Sequence, residues 1–142
     1  MPKSKKIPAQ YLANQLSLLA GPEPEAGGLD IDTEFREALS RAIPKEMSRW
    51  QVVASVSELT GCELTKRTLD DYTAPSHKDH RFPAALLPAF CIVCRDYTPL
   101  KVLANHARCA ILESEEARFA MIAKLEKEKQ NLDKEITKLK SY

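Results

Sequence analysis

The sequence predicts an all-α protein: a compact helical domain with a helix-turn-helix-like core, followed by a long C-terminal helix that forms a coiled coil. Nine prolines and only four glycines in 142 residues interrupt helices without supplying the turns of an all-β fold. No stretch alternates polar and apolar residues as a half-buried strand would. Apolar residues recur instead at the three- and four-residue spacing of amphipathic helices.

Composition divides the chain into three parts. Residues 1–30 are expected to form a flexible N-terminal arm, with a short helix from Tyr11 to Leu19 and a linker rich in proline, glycine and acid. Residues 31–111 form the helical domain, and residues 112–142 the coiled-coil helix. Four cysteines without a signal-peptide pattern suit a reducing compartment. No apolar run approaches the roughly 20 residues that span a bilayer. We therefore expect a cytoplasmic protein without membrane association.

Capping residues and helix breakers define the first helices of the domain. Asp32 is the expected N-cap of a helix that Pro44 stops. Ser48, with Gln51 three residues later, predicts a capping box at the start of the next helix, and Gly61 predicts its left-handed end. The residues Val52, Val53, Val56 and Leu59 give this helix a stripe expected to be buried, and Trp50 in its first turn is interpreted as a core edge, with an exposed nucleic-acid contact as the alternative.

A short second helix and three later segments complete the predicted core. Thr65 is the N-cap of a helix through Tyr72, which Ala74-Pro75 ends, and Leu69 and Tyr72 face inward. Phe82-Pro83 opens a helix that is apolar nearly all round. Thr98 is expected to cap the next helix, and the absence of proline and glycine predicts one unbroken helix over 100–140. The residues of the apolar helix expected in the core are Leu86, Leu87, Phe90, Ile92, Val93 and Cys94.

Positive charge collects around the second helix, although the net charge of the chain is only +1. Two cations begin that helix, where they oppose its dipole, and the following loop carries three more possible phosphate contacts. A helix and loop of this kind are typical of a surface that binds double-stranded DNA, while a solvated surface is the alternative. The candidate DNA-binding residues are Thr65, Lys66, Arg67, Asp70, Thr73, Lys78, His80 and Arg81.

A heptad pattern in the C-terminal helix predicts pairing of two chains. Isoleucine at the a positions and leucine at the d positions, with one lysine in the seam, favour a parallel two-stranded coil. The charges that flank the seam leave its orientation open, and a helix folded back on its own domain is the alternative. The predicted seam is Ile122, Leu125, Lys129, Leu132, Ile136 and Leu139.

Catalytic and metal-binding patterns are weak. Cys91, Cys94, His106 and Cys109 have the ligand types of a Cys₃His zinc site, but both pairs fall in apolar helices, which favours core cysteines. The sequence has no phosphate-binding glycine loop, nucleophile elbow or HExxH motif. We therefore expect neither a metal, a cofactor nor an enzymatic activity.

The segment from Ser48 to Thr73 resembles helix-turn-helix regulators, with Ala54 as the small residue where the helices cross and Leu69 as the apolar residue of the second helix. Ser57-Glu-Leu-Thr-Gly61 and Arg67-Thr-Leu-Asp-Asp-Tyr72 are also similar to the first helices of MerR-type activators. The turn is longer than in the common motif. Over 47–111, the pattern MSRWQVVASVSELTG…TKRTLDDYTAPS…HRFPAALLPAF…LKVLANHARC is similar to small proteins of Mu-like transposable bacteriophages and prophages.

These observations support two main hypotheses. In the first, the chain is a dimeric DNA-binding transcriptional regulator of a phage or prophage, acting in the cytoplasm of a bacterial host. In the second, it is a coiled-coil adaptor or structural phage component that binds a phage or host protein instead of DNA. The near-zero net charge favours the second hypothesis, and the local cationic cluster favours the first.

Overall fold

The computed structural model describes residues 22–142, and every regular element among them is a helix. The all-α prediction is therefore confirmed for this part of the chain. The predicted N-terminal helix at residues 11–19 lies outside the described residues. Among residues 22–142, no helix is long and apolar enough to cross a membrane. The helices are α1 (Asp32–Ala42), α2 (Arg49–Thr60), α3 (Lys66–Thr73), a 3₁₀ turn (Ala84–Leu86), α4 (Leu87–Cys94), α5 (Thr98–His106) and α6 (Ser114–Lys140).

The described chain falls into two compact units, residues 22–110 and residues 111–142. In the first unit α1 packs on α5, α2 packs on α4, and α3 contacts both α1 and α2. Phe90 at the centre of α4 is fully buried, as are Leu39 of α1 and Leu69 of α3. The apolar core of this unit comprises Leu39, Ala42, Val52, Val53, Val56, Leu64, Leu69, Leu86, Leu87, Ala89, Phe90, Cys91 and Cys94.

The start and end of α2 follow the sequence signals. Ser48 accepts a hydrogen bond from the Gln51 amide, and the Gln51 side chain accepts one from the Ser48 amide at 2.8 Å, so the capping box is confirmed. Gly61 has a φ of 70°, the left-handed conformation predicted for it. The turn that follows is held by Ser57, whose hydroxyl donates to the Val53 carbonyl and accepts from the Leu64 amide. This bond lets Leu64 bury its side chain between α2 and α3.

Several predictions of burial were wrong. Trp50, Leu59 and Ile92 are 67%, 59% and 56% exposed, so none belongs to the core. Ala54 is also exposed and does not lie where two helices cross. In each case the residue lies in a helix as predicted, but the buried stripe of that helix is narrower than its run of apolar residues.

The predicted unbroken helix over 100–140 is also wrong, since α5 ends at His106 and α6 begins at Ser114. Arg108 adopts a φ of 58°, its amide bonds to Asn105, and the Cys109 amide bonds to Ala104, which together form a Schellman closure. Arg95 closes α4 in the same way, with a φ of 53°. The end of α4 lies where the polar run Arg95-Asp96-Tyr97 predicts it. The end of α5 is hidden in the sequence, because arginine takes the place where glycine is usual.

Smaller shifts occur at three helix starts. Asp32 is the first residue of α1 instead of its cap, and its carboxylate binds Arg36. Thr98 is the first residue of α5, and its amide donates to Asp96. The segment after Pro83 begins as the 3₁₀ turn, so Pro88 lies in the first turn of α4, where proline is tolerated, and causes no kink.

Arg36 is a buried charge at the junction of α1, α3 and the loop that follows α3. Only 2% of it is exposed. Its Nε donates to the Asp32 carboxylate at 2.8 Å, its Nη1 donates to the carbonyls of Asp71, Tyr72 and Ala74, and its Nη2 donates to the His80 carbonyl at 2.6 Å. These carbonyls include the last ones of α3, which have no partner within the helix. Arg36 therefore caps α3 and fixes the loop over 74–80 from outside.

Replacement of Arg36 by methionine keeps much of the side-chain volume but removes every donor. We expect Arg36→Met to lower the free energy of unfolding by about 3 kcal/mol or more, because buried carbonyls lose their partners and Asp32 loses its counter-charge. Urea denaturation followed by circular dichroism measures the loss. Arg41→Met is the matched control, since Arg41 is exposed on the same helix and should change stability by no more than about 0.5 kcal/mol. Equal effects of the two substitutions would contradict this role of Arg36.

Candidate nucleic-acid interface

The polar side of α3 has two adjacent faces. Residues 66, 70 and 73 share one face, and residues 67 and 71 share the next, about 100° around the helix. Arg49 at the start of α2 donates to Asp70 at 2.9 Å and to Thr73 at 2.8 Å, so the first face borders α2. His77 bonds to Asp71 at 2.8 Å, so the second face borders the loop over 74–81. The N-terminus of α2, α3 and the loop thus form one continuous surface.

Asp70 is the electrostatic centre of the first face. Its carboxylate accepts from Lys66 on one oxygen and from Arg49 on the other, at 2.8 and 2.9 Å. The hydrogen bond from Lys66, together with the positive charges of Lys66 and Arg49, lowers the pKa of Asp70. One carboxylate therefore orders two cations beside α3 and leaves this group with a net positive charge.

Trp50 extends this group into solvent. The Lys66 ammonium lies 5.9 Å from the centre of the indole ring, within the range of a cation–π contact. The ring is 67% exposed, which leaves most of its surface free for a ligand. An exposed indole beside ordered cations is suited to contact with a sugar, a base or an aromatic side chain.

The loop after α3 carries the second group of cations. Lys78, His80 and Arg81 are exposed, as is Arg67 on the neighbouring face of α3. Within residues 22–142, neither Arg67, Lys78 nor Arg81 forms an ion pair with an acidic side chain. Their positions are restricted nonetheless, because Arg36 holds the loop at Ala74 and His80.

The aromatic ring of Phe82 anchors the far end of the same loop. It meets the rings of Phe35, Tyr72 and Phe90 edge to face, with centroid distances of 6.3, 5.4 and 5.5 Å. A surface cavity of about 510 Å³ opens beside this cluster. Its lining residues are Leu29, Asp30, Ile31, Asp32, Phe35, Arg36, Tyr72, Arg81, Phe82 and Leu103.

The predicted DNA-binding residues differ in their exposure and in their contacts. Arg67, Lys78, His80 and Arg81 are exposed, and Lys66 is half-buried in its contacts with Asp70 and Trp50. Asp70 is half-buried between two cations. Thr65 accepts from the Thr68 amide, which confirms it as the N-cap of α3. Thr73 was predicted to face outward but is buried, because its hydroxyl donates to the Leu69 carbonyl and accepts from Arg49.

The residues of the possible zinc site do not converge. Cys91 and Cys94 are buried in α4, Cys109 is exposed, and His106 bonds to Glu34 at 2.7 Å. Among residues 22–142 no group of three or more histidine, cysteine or acidic side chains could hold a metal ion. Burial raises the pKa of Cys91 and raises that of Cys94 to about 12, and both side chains belong to the apolar core of α4.

The C-terminal unit carries the residues of the predicted seam. No residue of α6 is buried, and the apolar seam residues are between 40% and 74% exposed. Lys129 is exposed as well. This helix therefore presents an apolar stripe that the described residues of its unit leave uncovered.

Comparison with known proteins leaves the function to be argued from geometry. No protein-family model, curated protein or solved structure matches the chain.

Three side chains important to this surface were not predicted as part of it. No role was predicted for Arg36 or Arg49, because nothing local in the sequence shows that they contact α3 from other helices. Trp50 was assigned to the core edge, with an exposed nucleic-acid contact only as the alternative. Its position two residues after the N-cap, opposite the buried Val52, is the signal that places it on the outer side of α2.

The lowered pKa of Asp70 predicts a pH-dependent contribution to stability. A carboxylate whose pKa is depressed by folding stabilises the protein above its ordinary pKa of 3.8, and the contribution disappears as pH falls through the lower folded value. We expect Asp70→Asn to cost less than about 1 kcal/mol at neutral pH, because the side chain is 41% exposed. The difference from wild type should shrink as pH falls through the lowered pKa of Asp70, because protonation removes its ion pairs.

Urea titrations of both proteins from about pH 7 down to about pH 2.5 measure this difference. Asp79→Asn is the control, since Asp79 is exposed and forms no ion pair within residues 22–142. A loss for Asp70→Asn that persists unchanged at the lowest pH would refute the assigned ion pairs.

Proposed function

We propose that the chain is a dimeric, non-enzymatic DNA-binding protein of the transcription-regulator type. The surface formed by the N-terminus of α2, by α3 and by the loop over 74–81 binds the duplex. The observation that carries the proposal is the exposed Trp50 beside Lys66, with exposed Arg67 on the next face of α3. Residues of these types bind sugars, bases and phosphates.

The dimensions of α3 suit a duplex groove. Eight residues make a helix about 12 Å long, comparable with the width of about 12 Å of the major groove. In this proposal the N-terminal turn of α3 enters the groove, where Arg67 reaches base edges or phosphates. The backbone amides of the first turn of α3 and the dipole of this helix also favour a phosphate near its N-terminus.

The remaining residues position the helix on the DNA backbone. Lys78, His80 and Arg81 of the loop contact phosphates, and Trp50 packs on a sugar. Asp70 holds Arg49 and Lys66 in place in the free protein, and phosphate oxygens compete with it for these cations when DNA binds. The buried Arg36 acts indirectly, because it fixes the loop against the end of α3.

Pairing through α6 would present two such surfaces to a two-fold related site, as in dimeric regulators. A phage or prophage setting, in the cytoplasm of a host bacterium, is proposed on the resemblance of residues 47–111 alone.

A protein-binding adaptor is the second candidate, and a specific observation favours it. Residues 22–110 contain 13 acidic and 11 basic side chains, so the domain as a whole does not attract DNA. In that case the exposed Trp50 would insert into a partner protein, since tryptophan and arginine are frequent anchors of protein interfaces.

Fluorescence anisotropy with a labelled random-sequence duplex distinguishes the two candidates. Wild type should bind the duplex at about 50 mM salt and release it as salt rises. Binding releases counterions from the phosphates, and this release becomes less favourable as the salt concentration increases. The variant Lys66→Ala with Arg67→Ala should bind about 10- to 100-fold more weakly, with a smaller salt dependence. Trp50→Ala should weaken binding without changing the salt dependence, since the indole carries no charge.

The matched control is Arg41→Ala with Lys45→Ala, which removes two exposed cations at the end of α1 and in the segment that follows. It should bind DNA like wild type. No binding at low salt, or equal losses for the two double variants, would contradict the proposal and favour the adaptor.

A further inference from the structure

The apolar stripe of α6 is regular over its second half. Ile122, Leu125, Leu132, Ile136 and Leu139 are exposed, and their spacings follow a heptad with Lys129 in the remaining position. A stripe of this width on a 27-residue helix is the seam of a coiled coil, because the apolar residues lie on a single narrow face. A seam of this kind requires a second helix as its occupant.

We propose that the occupant is α6 of a second copy of the chain, aligned parallel and in register from Ile122 to Leu139. This inference refines the pairing on which the proposed DNA-binding function rests. β-Branched residues at a and leucine at d favour two strands, and α6 has isoleucine at both apolar a positions and leucine at all three d positions.

The parallel pairs alone leave the orientation open, but comparison with the antiparallel pairs favours the parallel one. If the helices ran antiparallel with a facing d, Glu126 would face Asp133 of the other helix and Glu128 would face Glu135. All four pairs in such a dimer would then repel. In the parallel, in-register dimer, Glu135 faces Lys140 twice and attracts, and only Glu128 faces an acid, Asp133.

Lys129 offsets the repulsion between Glu128 and Asp133 in the parallel arrangement. It occupies the a position directly after Glu128, and its ammonium leaves the seam towards Glu128 and Asp133 of the two helices. Two lysines thus lie among four carboxylates. The antiparallel arrangement would place Lys129 against Leu132 instead. A single polar residue at an a position also fixes register and strand number, at some cost in stability.

The seam is short, and this determines how it is tested. Ile122 to Leu139 span about 25 Å of helix, less than three heptads, so pairing depends on protein concentration. A disulfide placed in the seam traps the paired state and reports its orientation. Leu139 is suitable because it is the last residue of the seam and is 74% exposed in the single chain, so its replacement leaves the other seam residues in place.

The experiment uses the full chain with the exposed cysteines replaced, Cys62→Ser and Cys109→Ser, and the buried Cys91 and Cys94 retained. Leu139→Cys is added, and the protein is treated with oxidised glutathione, which forms the Cys–Cys disulfide by exchange and leaves as two molecules of reduced glutathione. The product is run on a non-reducing gel. We expect most of the protein to migrate as a covalent dimer. The control Asn131→Cys, at an outward c position of the same helix, should cross-link at least about tenfold less.

Two results would overturn the proposal. The first is Leu139→Cys cross-linking no better than Asn131→Cys. The second is preferential cross-linking in a mixture of Ile122→Cys and Leu139→Cys chains, which indicates the antiparallel arrangement. No DNA is present in this assay. Its failure therefore leaves DNA binding by a single domain open to test, and a failed anisotropy experiment leaves the parallel pairing intact.

Discussion

The burial of one arginine determines the geometry of the surface that we propose binds DNA. Arg36 joins α1 to the C-terminal end of α3 and to the loop that follows it, by donating to four backbone carbonyls and one carboxylate. A guanidinium is suited to this role, because it spreads five donors over a rigid plane and remains charged when desolvated. A helix of eight residues is marginal alone, so α3 depends on such external contacts. The loop, which has no regular structure of its own, depends on them still more.

The same constraint separates structural charges from charges that are free to bind a ligand. Arg36 and Arg49 are engaged in fixing α3, and Asp70 neutralises part of the positive charge beside it. Arg67, Lys78 and Arg81 remain exposed around this fixed frame. A frame of this kind lowers the entropy lost on binding, because fewer groups must be ordered when the ligand arrives. A domain with a slight excess of acidic residues can therefore still carry a local cationic surface.

Local sequence signals predicted local structure well. Ser48 with Gln51, Gly61 and Thr65 act within a few residues, and each is confirmed where it was expected. The all-helical class followed from proline, glycine and apolar spacing in the same way. The failures concern contacts over longer distances. The side of α2 that is buried depends on where α4 lies, so Trp50 and Leu59 were misassigned. The end of α5 was not predicted, because Arg108 takes the left-handed position where glycine is usual. Most of the candidate surface was predicted, but the residues that hold it in place were not, since Arg36 meets carbonyls more than thirty positions away.

The central claim is that Arg36 orders the loop over 74–81 against α3, and amide hydrogen exchange tests it most directly. The substitution Arg36→Lys keeps the positive charge but cannot reach all five acceptors with one compact ammonium. If the claim is correct, the amides of Ala74, His77 and His80, which donate to the carbonyls of Asp70, Ala74 and His77, will exchange markedly faster in the variant. The amides of α2 and α4 should remain protected. Unchanged protection at these three amides, in a variant that is otherwise folded, would contradict the account.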